Sequence, residues 1–538
     1  MGGADFDRAA MLARLEAEEF DILVVGGGVT GAGVALDAAA RGLRTALVER
    51  DDFAAGTSSK SSKLVHGGLR YLKDDPRLVR EALRERERLR RNAPHLVGIM
   101  PFMIPVLTKD GVVSRTVARA LGSAMWMYDI GGGWRIGKLH RRLRKKATLA
   151  HFPTMPPARV AAGYLYHDAA ADDARLVLTL ARTAASRGAA VANRCHVVGL
   201  HHADGRVAGA TVRADGREFT VRSRVVVNAT GVWADGLREM DEGTDPDTIR
   251  PAKGVHLTVP WEKVRNDIAV VVPVPKDKRS LFLVPWGPLP DGTFRHAYIG
   301  TTDTDYDGPL EDPQCTAEDV EYVLRAVNAS ISEPITAADV TGVWAGLRPL
   351  VKGGGSGRTA DLSRRHLVQT SDHGVVTVTG GKLTTYREMA ADAVDAALGM
   401  LGRSAKCTTA RLRLLGADGY KAAAAGTTEG HLGNRYGTLA AEVQALVAAD
   451  PSLGEPLVAG LPYLRAEAVY AVRHEMATTL DDVLTRRTRA RLQDRAATVA
   501  AAPAVAALIA PELGWDDTEL AIEVTTFVVA CIAEEVRP

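Results

Sequence analysis

The chain has 538 residues, room for two to four domains and a large core. Its hydrophobic fraction is 46% and its charged fraction 25%, ordinary for a globular protein, and a net charge of +2 gives no field that would gather nucleic acid. The four cysteines, Cys195, Cys315, Cys407 and Cys531, are scattered and form no CxxC pair, so neither a disulfide framework nor a metal centre is expected.

Asp5, Asp7, Arg8, Arg14 and Glu16 interrupt any signal-peptide core, and residues 8–18 read as a short amphipathic helix. No apolar run approaches the roughly 18–20 residues that span a bilayer. The nearest, 524–533, is short and ends in acids. A cytoplasmic or peripheral location follows as an expectation.

Residues 22–25 are the length of a buried strand and meet Gly26-x-Gly28-x-x-Gly31, after which 32–41 read as a helix. Strand, glycines and helix in this order form a dinucleotide fingerprint. One glycine permits the turn, one lets backbone approach a pyrophosphate, and one lets helix and strand pack. The helix start offers N–H groups to phosphate. A second strand, 44–48, ends in Glu49, placed for ribose hydroxyls. The hydroxyl-rich stretch 57–63, with Thr57, Ser58 and Ser62, precedes Leu64-Val65-His66-Gly67-Gly68-Leu69-Arg70-Tyr71-Leu72. It suits a second wall around an anionic cofactor.

Residues 76–91 read as a helix with a charged, solvated face, and 100–107 as an edge strand carrying Pro101 and Pro105. After the apolar stretch 114–128, Gly131-Gly132-Gly133 leads into 134–146. There Ile136, Leu139 and Leu143 would share one helical face opposite seven basic residues. A basic amphipathic segment beside tryptophans has the form of an interfacial membrane contact.

Helix 172–187, strand 190–200, hairpin 205–221 and strand 222–227 lead to Asn228-Ala229-Thr230-Gly231. A strand ending in Ala-Thr-Gly about two hundred residues after the fingerprint belongs to flavoproteins more than to nicotinamide dehydrogenases, so the expected cofactor is FAD. Residues 250–345 read as a mostly antiparallel β platform with a helix at 319–332. The chain then returns through Gly346-Leu347-Arg348-Pro349-Leu350, a glycine-rich loop at 353–357, and strands 366–370 and 375–379. Gly380-Gly381-Lys382-Leu383-Thr384-Thr385-Tyr386 opens the helix 387–401. From about residue 412 the composition becomes Ala-, Leu-, Glu- and Arg-rich, with helices near 436–450, 465–475, 478–491, 493–510 and 515–533. Arg486-Arg487-Thr488-Arg489 reads as a solvated helix end.

The glycine fingerprint, the segments 61–72 and 346–350, and Gly380 to Arg387 closely resemble the FAD-dependent glycerol-3-phosphate dehydrogenases, and the likeness runs from about residue 15 to about 535. The resemblance implies an α/β two-dinucleotide-binding-domain flavoprotein with a Rossmann-like FAD domain (18–100, 165–250 and 340–405). An inserted antiparallel β substrate domain (101–164 and 251–339) and a C-terminal all-α domain (410–538) complete it. It implies oxidation of sn-glycerol 3-phosphate to dihydroxyacetone phosphate, with electrons leaving to a membrane quinone. It also implies a peripheral position on the inner face of the cytoplasmic membrane and a homodimer.

The same resemblance places Gly26, Gly28, Gly31, Glu49, Thr57, Ser58, Ser62, Leu64, His66, Gly67, Gly68, Ala229, Gly231, Gly381, Lys382, Leu383 and Thr384 around FAD. His256 would be the base or proton relay, chosen for its ordinary pKa near working pH. Arg348 would polarise the C2 oxygen, and Lys382, placed with them among the catalytic residues, would share the phosphate and the glyceryl hydroxyls with Arg70 and Arg364. Arg70, Tyr71 and Arg364 would bind substrate, because a phosphate dianion asks for arginines and a hydroxyl partner. His140, His151, His201 and His202 fall outside the motifs and are read as ordinary hydrogen-bonding side chains. Alternatives on the same residues are an oxygen-using glycerol-3-phosphate oxidase, an amine or hydroxy-acid oxidase, and a non-catalytic nucleotide-binding protein.

Overall fold

A computed structural model describes residues 6–72, 75–108, 115–275, 277, 279–352 and 365–534, without the side chains of residues 70 and 115–119. Among these residues two sheets and a helical domain share the mass of the protein.

The first sheet has the strand order His366–Thr370, Val375–Gly380, Arg217–Asn228, Glu19–Val25, Thr45–Val48, Ala190–Ala192. A hairpin of His196–Ala203 and Arg206–Ala214 extends it through Arg217–Asn228. Its five central and inner-edge strands, from Val375–Gly380 to Ala190–Ala192, run parallel, in registers such as Val25 opposite Asn228 and Val48. These strands are Val-, Ile- and Leu-rich because helices cover both faces. Helix Val29–Ala40 packs between Asp173–Ala185 and Tyr386–Met400. Gly33 allows the close approach, since a Cβ there would lie 2.7 Å from the Tyr386 ring. Parallel pairing brings Gly26, Glu49, Ala229 and Gly381 to one carboxyl edge, where ligands of open α/β sheets bind.

The second sheet is mixed and mainly antiparallel. Its order is Thr304–Asp305, Ile249–Pro260, Phe294–Gly300, Ser280–Pro288, Ala269–Pro273, Val97–Leu107, Val160–Ala171, Leu64–Val65, with Gly342–Val351 on Ile249–Pro260 and Arg141–Arg144 on Val160–Ala171. The platform therefore draws in pieces that sequence order groups with the cofactor domain. Leu64–Val65, Val97–Met100, Leu165–Ala171 and Gly342–Val351 all pair in this sheet. The last of these pairs with Ile249–Thr258 over its full length, so Arg348 projects from the substrate sheet.

Segment 134–146 is not one helix. A 3-10 turn, Gly133–Ile136, is followed by strand Arg141–Arg144 and helix Lys145–His151. Pairing of Arg141–Arg144 with Ala162–Leu165 overrides the helical spacing, and Leu143 alone of the four turns inward.

The C-terminal domain runs from Thr428 to Ala533 around a core that includes Leu480, Leu484, Val505, Ile509 and Phe527. Helix Arg495–Leu513 is long and apolar enough to cross a membrane by length and composition, contrary to the expectation that no run approaches that size. Its Ala-rich sequence, interrupted by Pro503 and Pro511, disguises that length. Here Ala502, Val505, Ala506 and Ile509 are buried against Arg465–Glu475 and Asp517–Ala533.

The arginines at 486, 487 and 489 are buried rather than solvated. Arg486 and Arg487 both donate to Asp52 at 2.7 Å, three residues after Glu49. Arg489 reaches Asp172 at 2.9 Å and also pairs with Asp173, and Arg435 meets Asp172 at 3.0 Å. Buried guanidinium groups require such partners, and here the partners lie in the cofactor domain, so the pairs dock one domain on the other.

Candidate active site

The cofactor crevice is built from backbone. Gly26 has φ +107°, and a Cβ on it would lie 2.7 Å from the Ala229 carbonyl; one on Gly31 would lie 1.8 Å from the Gly26 carbonyl. Gly28 caps helix Val29–Ala40 with no side chain of its own, while Ser58 Oγ accepts the Val29 N–H at 2.9 Å. Glu49 accepts N–H groups from Gly27 (2.6 Å) and Asp51 (2.8 Å), tying the glycine turn to the end of the second strand. Burial pushes its carboxyl up to about 7 against those two hydrogen bonds. Thr57 donates to the Leu347 carbonyl at 2.6 Å, joining the cofactor wall to the substrate sheet.

On the other side, Thr384 accepts the His66 N–H at 3.1 Å and Leu64 is buried. Gly67 N–H donates to Tyr128 Oη (3.1 Å) and Asp168 (3.2 Å), and Asp168 is held by buried Arg86 at 2.6 Å. Gly68, Gly231 and Gly381 have φ of +79°, +65° and +81°. Gly68 would place a Cβ 2.8 Å from the Tyr71 ring and 3.3 Å from Lys382 Nζ. Hence the Gly67-Gly68 and Gly381-Lys382 segments converge, as their motifs predict. These bare turns form a cradle that side chains would fill, and it fits an extended dinucleotide such as FAD.

A cluster of the candidate residues lies where that cradle meets the second sheet. His256 sits between Gly300 and Trp344 on neighbouring strands and is only 2% exposed. Its ring stacks on Trp344 at 4.7 Å and 8°, and a Cβ at Gly300 would strike it at 2.1 Å. Nε2 is 2.8 Å from Ser62 Oγ, and Nδ1 is buried with no hydrogen-bond partner among the described residues. Burial, then the Lys63 and Arg348 charges, hold the imidazole well below its ordinary pKa. His256 is therefore neutral at physiological pH, and the argument from an unperturbed pKa does not apply to it.

Arg348 is half-buried and held by Thr301 Oγ1 (3.1 Å), the Thr302 carbonyl (3.1 Å) and Asp303 (3.2 Å). Lys382 Nζ lies 4.1 Å over the Tyr71 ring. Arg70 has its backbone in the 3-10 turn Leu69–Tyr71. Arg364 and the loop 353–357 lie outside the described residues.

Three side chains escaped the sequence reading. Lys63 bonds Asp173 (3.2 Å), lies 4.7 Å from the Trp344 ring centroid, and is brought down to about 8, mainly by burial. Trp344 forms one wall of the His256 slot. Tyr128 braces Gly67 from helix Arg115–Ile130. None has a local signature, because each acts on a residue far away in sequence.

Residues 21–387 match the family model described as FAD dependent oxidoreductase, and 407–520 match that of the C-terminal domain of alpha-glycerophosphate oxidase. Glycerol-3-phosphate dehydrogenase 2 of Mycobacterium tuberculosis is 42% identical over 98% of this chain and 90% of its own length. Glycerol-3-phosphate dehydrogenase of Mycobacterium leprae is 43% identical over 97% and 89%. The glycerol-3-phosphate dehydrogenase from Bacillus halodurans, solved in complex with FAD, superposes with a TM-score of 0.78 at 30% identity, covering 100% of this chain and 99% of its own. Fold and site thus define an FAD-dependent oxidoreductase. Within that class the chain belongs to the glycerol-3-phosphate dehydrogenase family.

Proposed function

We propose that this enzyme oxidises sn-glycerol 3-phosphate at C2 to dihydroxyacetone phosphate. The observation that carries the reading is the pairing of neutral, buried His256 with Ser62 beside Arg348, at the mouth of the glycine cradle. FAD held by the Gly26–Gly31 turn and the Gly67-Gly68 and Gly381 segments would supply the acceptor for the C2 hydrogen and its electron pair, with a membrane quinone as the onward electron acceptor. The protein moves the proton. Ser62 is half-buried and covers His256 Nε2, so the C2 hydroxyl proton passes through Ser62 Oγ to Nε2. Arg348, held by Thr301, Thr302 and Asp303, offers its guanidinium to the C2 oxygen as charge develops. Lys382 and Tyr71, with Arg70 and Arg364, bind the phosphate and the remaining hydroxyls.

The membrane part of the proposal rests on one surface. Trp126, Met127 and Ile130 on the helix that carries Tyr128, then Trp134 and Leu139, are 50–74% exposed. Trp126 packs edge-on against His140 at 4.8 Å, so the two segments form one patch. Exposed Arg141, Arg142, Arg144, Lys145 and Lys146 follow directly. Apolar side chains beside basic ones suit an anionic bilayer surface, and peripheral attachment to the inner face of the cytoplasmic membrane belongs to the same reading. Ile522, Val529 and Ile532, exposed on the last helix, support a homodimer.

The test is anaerobic. Glycerol 3-phosphate added to the yellow protein bleaches the flavin absorbance, and a quinone analogue restores it. Unchanged absorbance overturns the substrate assignment. The match of 407–520 to an oxidase domain favours a second reading, with oxygen as acceptor. Faster recovery with oxygen than with the quinone analogue would establish that one.

A further inference from the structure

Away from the cofactor crevice, three side chains from three elements meet at one point. His202 lies in strand His196–Ala203, Asp241 in the last turn of helix Ala234–Glu242, and His373 in the turn between strands His366–Thr370 and Val375–Gly380. His202 Nε2 is 2.9 Å from Asp241 Oδ1; His373 Nδ1 is 3.2 Å from the same oxygen and 2.9 Å from the Asp241 carbonyl. The two imidazole rings stand 5.0 Å apart, edge to face. One ligand atom from each residue lies within 4.8 Å of the others. The Asp241 side chain is fully buried, while those of His202 and His373 are 30% and 42% exposed, so the site opens to solvent on the histidine side.

Asp241 Oδ2 is buried and accepts no hydrogen bond among the described residues. An orphaned carboxylate oxygen is costly. A cation bound through the carboxylate would offset that charge, and the donors beside Oδ1 are of the kind a transition metal prefers. Ligand atoms around a tetrahedral zinc ion lie about 3.3 Å apart, given bonds near 2.0–2.1 Å. The separations of 2.9 and 3.2 Å around Oδ1 are already close to that. Both imidazoles now direct an N–H at Asp241, and a metal would replace those two protons once each ring carries its proton on the other nitrogen.

We propose that His202, Asp241 and His373 form a site for a divalent first-row transition ion of the zinc class, with its remaining coordination positions open to solvent. The ion clips three segments of the cofactor domain from the side opposite the crevice. Helix Ala234–Glu242 begins three residues after Gly231, and strand Val375–Gly380 ends one residue before Gly381. The site thus fastens the far ends of two elements whose near ends shape the cradle. It takes no part in the oxidation, and its existence does not depend on the substrate proposed above.

The test uses the full-length, flavin-loaded protein, stripped with a chelator, titrated with zinc chloride and passed through a desalting column. Bound metal and thermal unfolding are then measured. The wild type retains one zinc per chain and its Tm rises with zinc. His202→Gln and His373→Gln sit at exposed positions and leave the fold intact. Each weakens binding by more than the roughly 10–100-fold that loss of an outer-shell partner costs, and the double variant retains no zinc and shows no Tm response. Failure of the stripped wild type to retain zinc overturns the proposal. So does retention by the double variant at wild-type affinity, which would place the metal elsewhere.

Discussion

Ser62 Oγ stands 2.8 Å from His256 Nε2, a contact between residues 194 positions apart that joins the cofactor loop to the substrate sheet. With His256 buried and Ser62 partly exposed, the hydroxyl is the one hydrogen-bond partner of that imidazole among the described residues. The two should behave as one proton-transferring unit. Ser62→Ala is expected to lower kcat by about 10²-fold and His256→Gln by about 10²–10⁴-fold. The double variant should be no worse than His256→Gln, because residues acting as a unit do not add; multiplicative losses would refute the relay. Since burial and two cations keep His256 neutral, its protonation should not produce a limb near pH 6.5 in kcat/KM. Such a limb, absent from His256→Gln, would contradict the assignment.

Gly254 determines where Arg348 sits. A Cβ there would lie 2.6 Å from both Arg348 Nη2 and Thr301 Oγ1. Gly254→Ala must push the guanidinium off Thr301, Thr302 and Asp303, and displacement of about 1 Å at a reacting group costs on the order of 10²-fold. We expect kcat/KM for glycerol 3-phosphate to fall by about that factor, with little change in Tm and undiminished flavin content. A variant with wild-type kinetics would show that Arg348 does not need this position.

The cofactor half of the site is legible in sequence because it is local. Gly26 to Gly31, Gly67-Gly68 and Gly380-Gly381 each work through their own backbone, so spacing alone reveals them. The substrate half is not local. Trp344 meets His256 only because strand Gly342–Val351 joins the second sheet, and Ser62 reaches it from the segment ahead of strand Leu64–Val65, pairings that sequence order hides. Arg486 and Arg487 read as surface charges until Asp52 is placed against them. His202 and His373 carry no spacing signal at all, since they are 171 residues apart and meet through Asp241.

The helical domain should be the acid-sensitive part. Glu467 is buried; burial alone would raise its pKa, but His431 (2.7 Å) and Arg435 (3.3 Å) outweigh that and bring it down to about 2. A carboxyl whose folded pKa is depressed contributes stability that is complete above its unfolded value and is lost as pH falls through the folded one. The window is therefore about pH 4.5 down to about 2, and the contribution is on the order of 3 kcal/mol. Asp52, also lowered because Arg487 and Arg486 overcome its burial, weakens the domain contact in the lower part of that range. Chemical denaturation followed by circular dichroism should show Glu467→Gln less stable at pH 7 and less dependent on pH between 5 and 3. An acid limb as steep as the wild type's would assign the sensitivity elsewhere.

Membrane attachment should separate into charge and insertion. Each basic side chain near an anionic surface contributes about 1 kcal/mol. Replacing Arg141, Arg142, Arg144 and Lys145 with glutamine should thus weaken binding to phosphatidylglycerol vesicles by on the order of 10³-fold. Sedimentation with the vesicles measures this, and the wild type's affinity should fall with salt while the variant's changes little. Ile130→Ser and Trp134→Ser remove apolar surface instead, so their loss should persist at high salt. None of these side chains touches the site, so turnover with a soluble acceptor should hold while turnover with a bilayer-embedded quinone drops. Undiminished vesicle binding by the fourfold variant would move the membrane contact to another face.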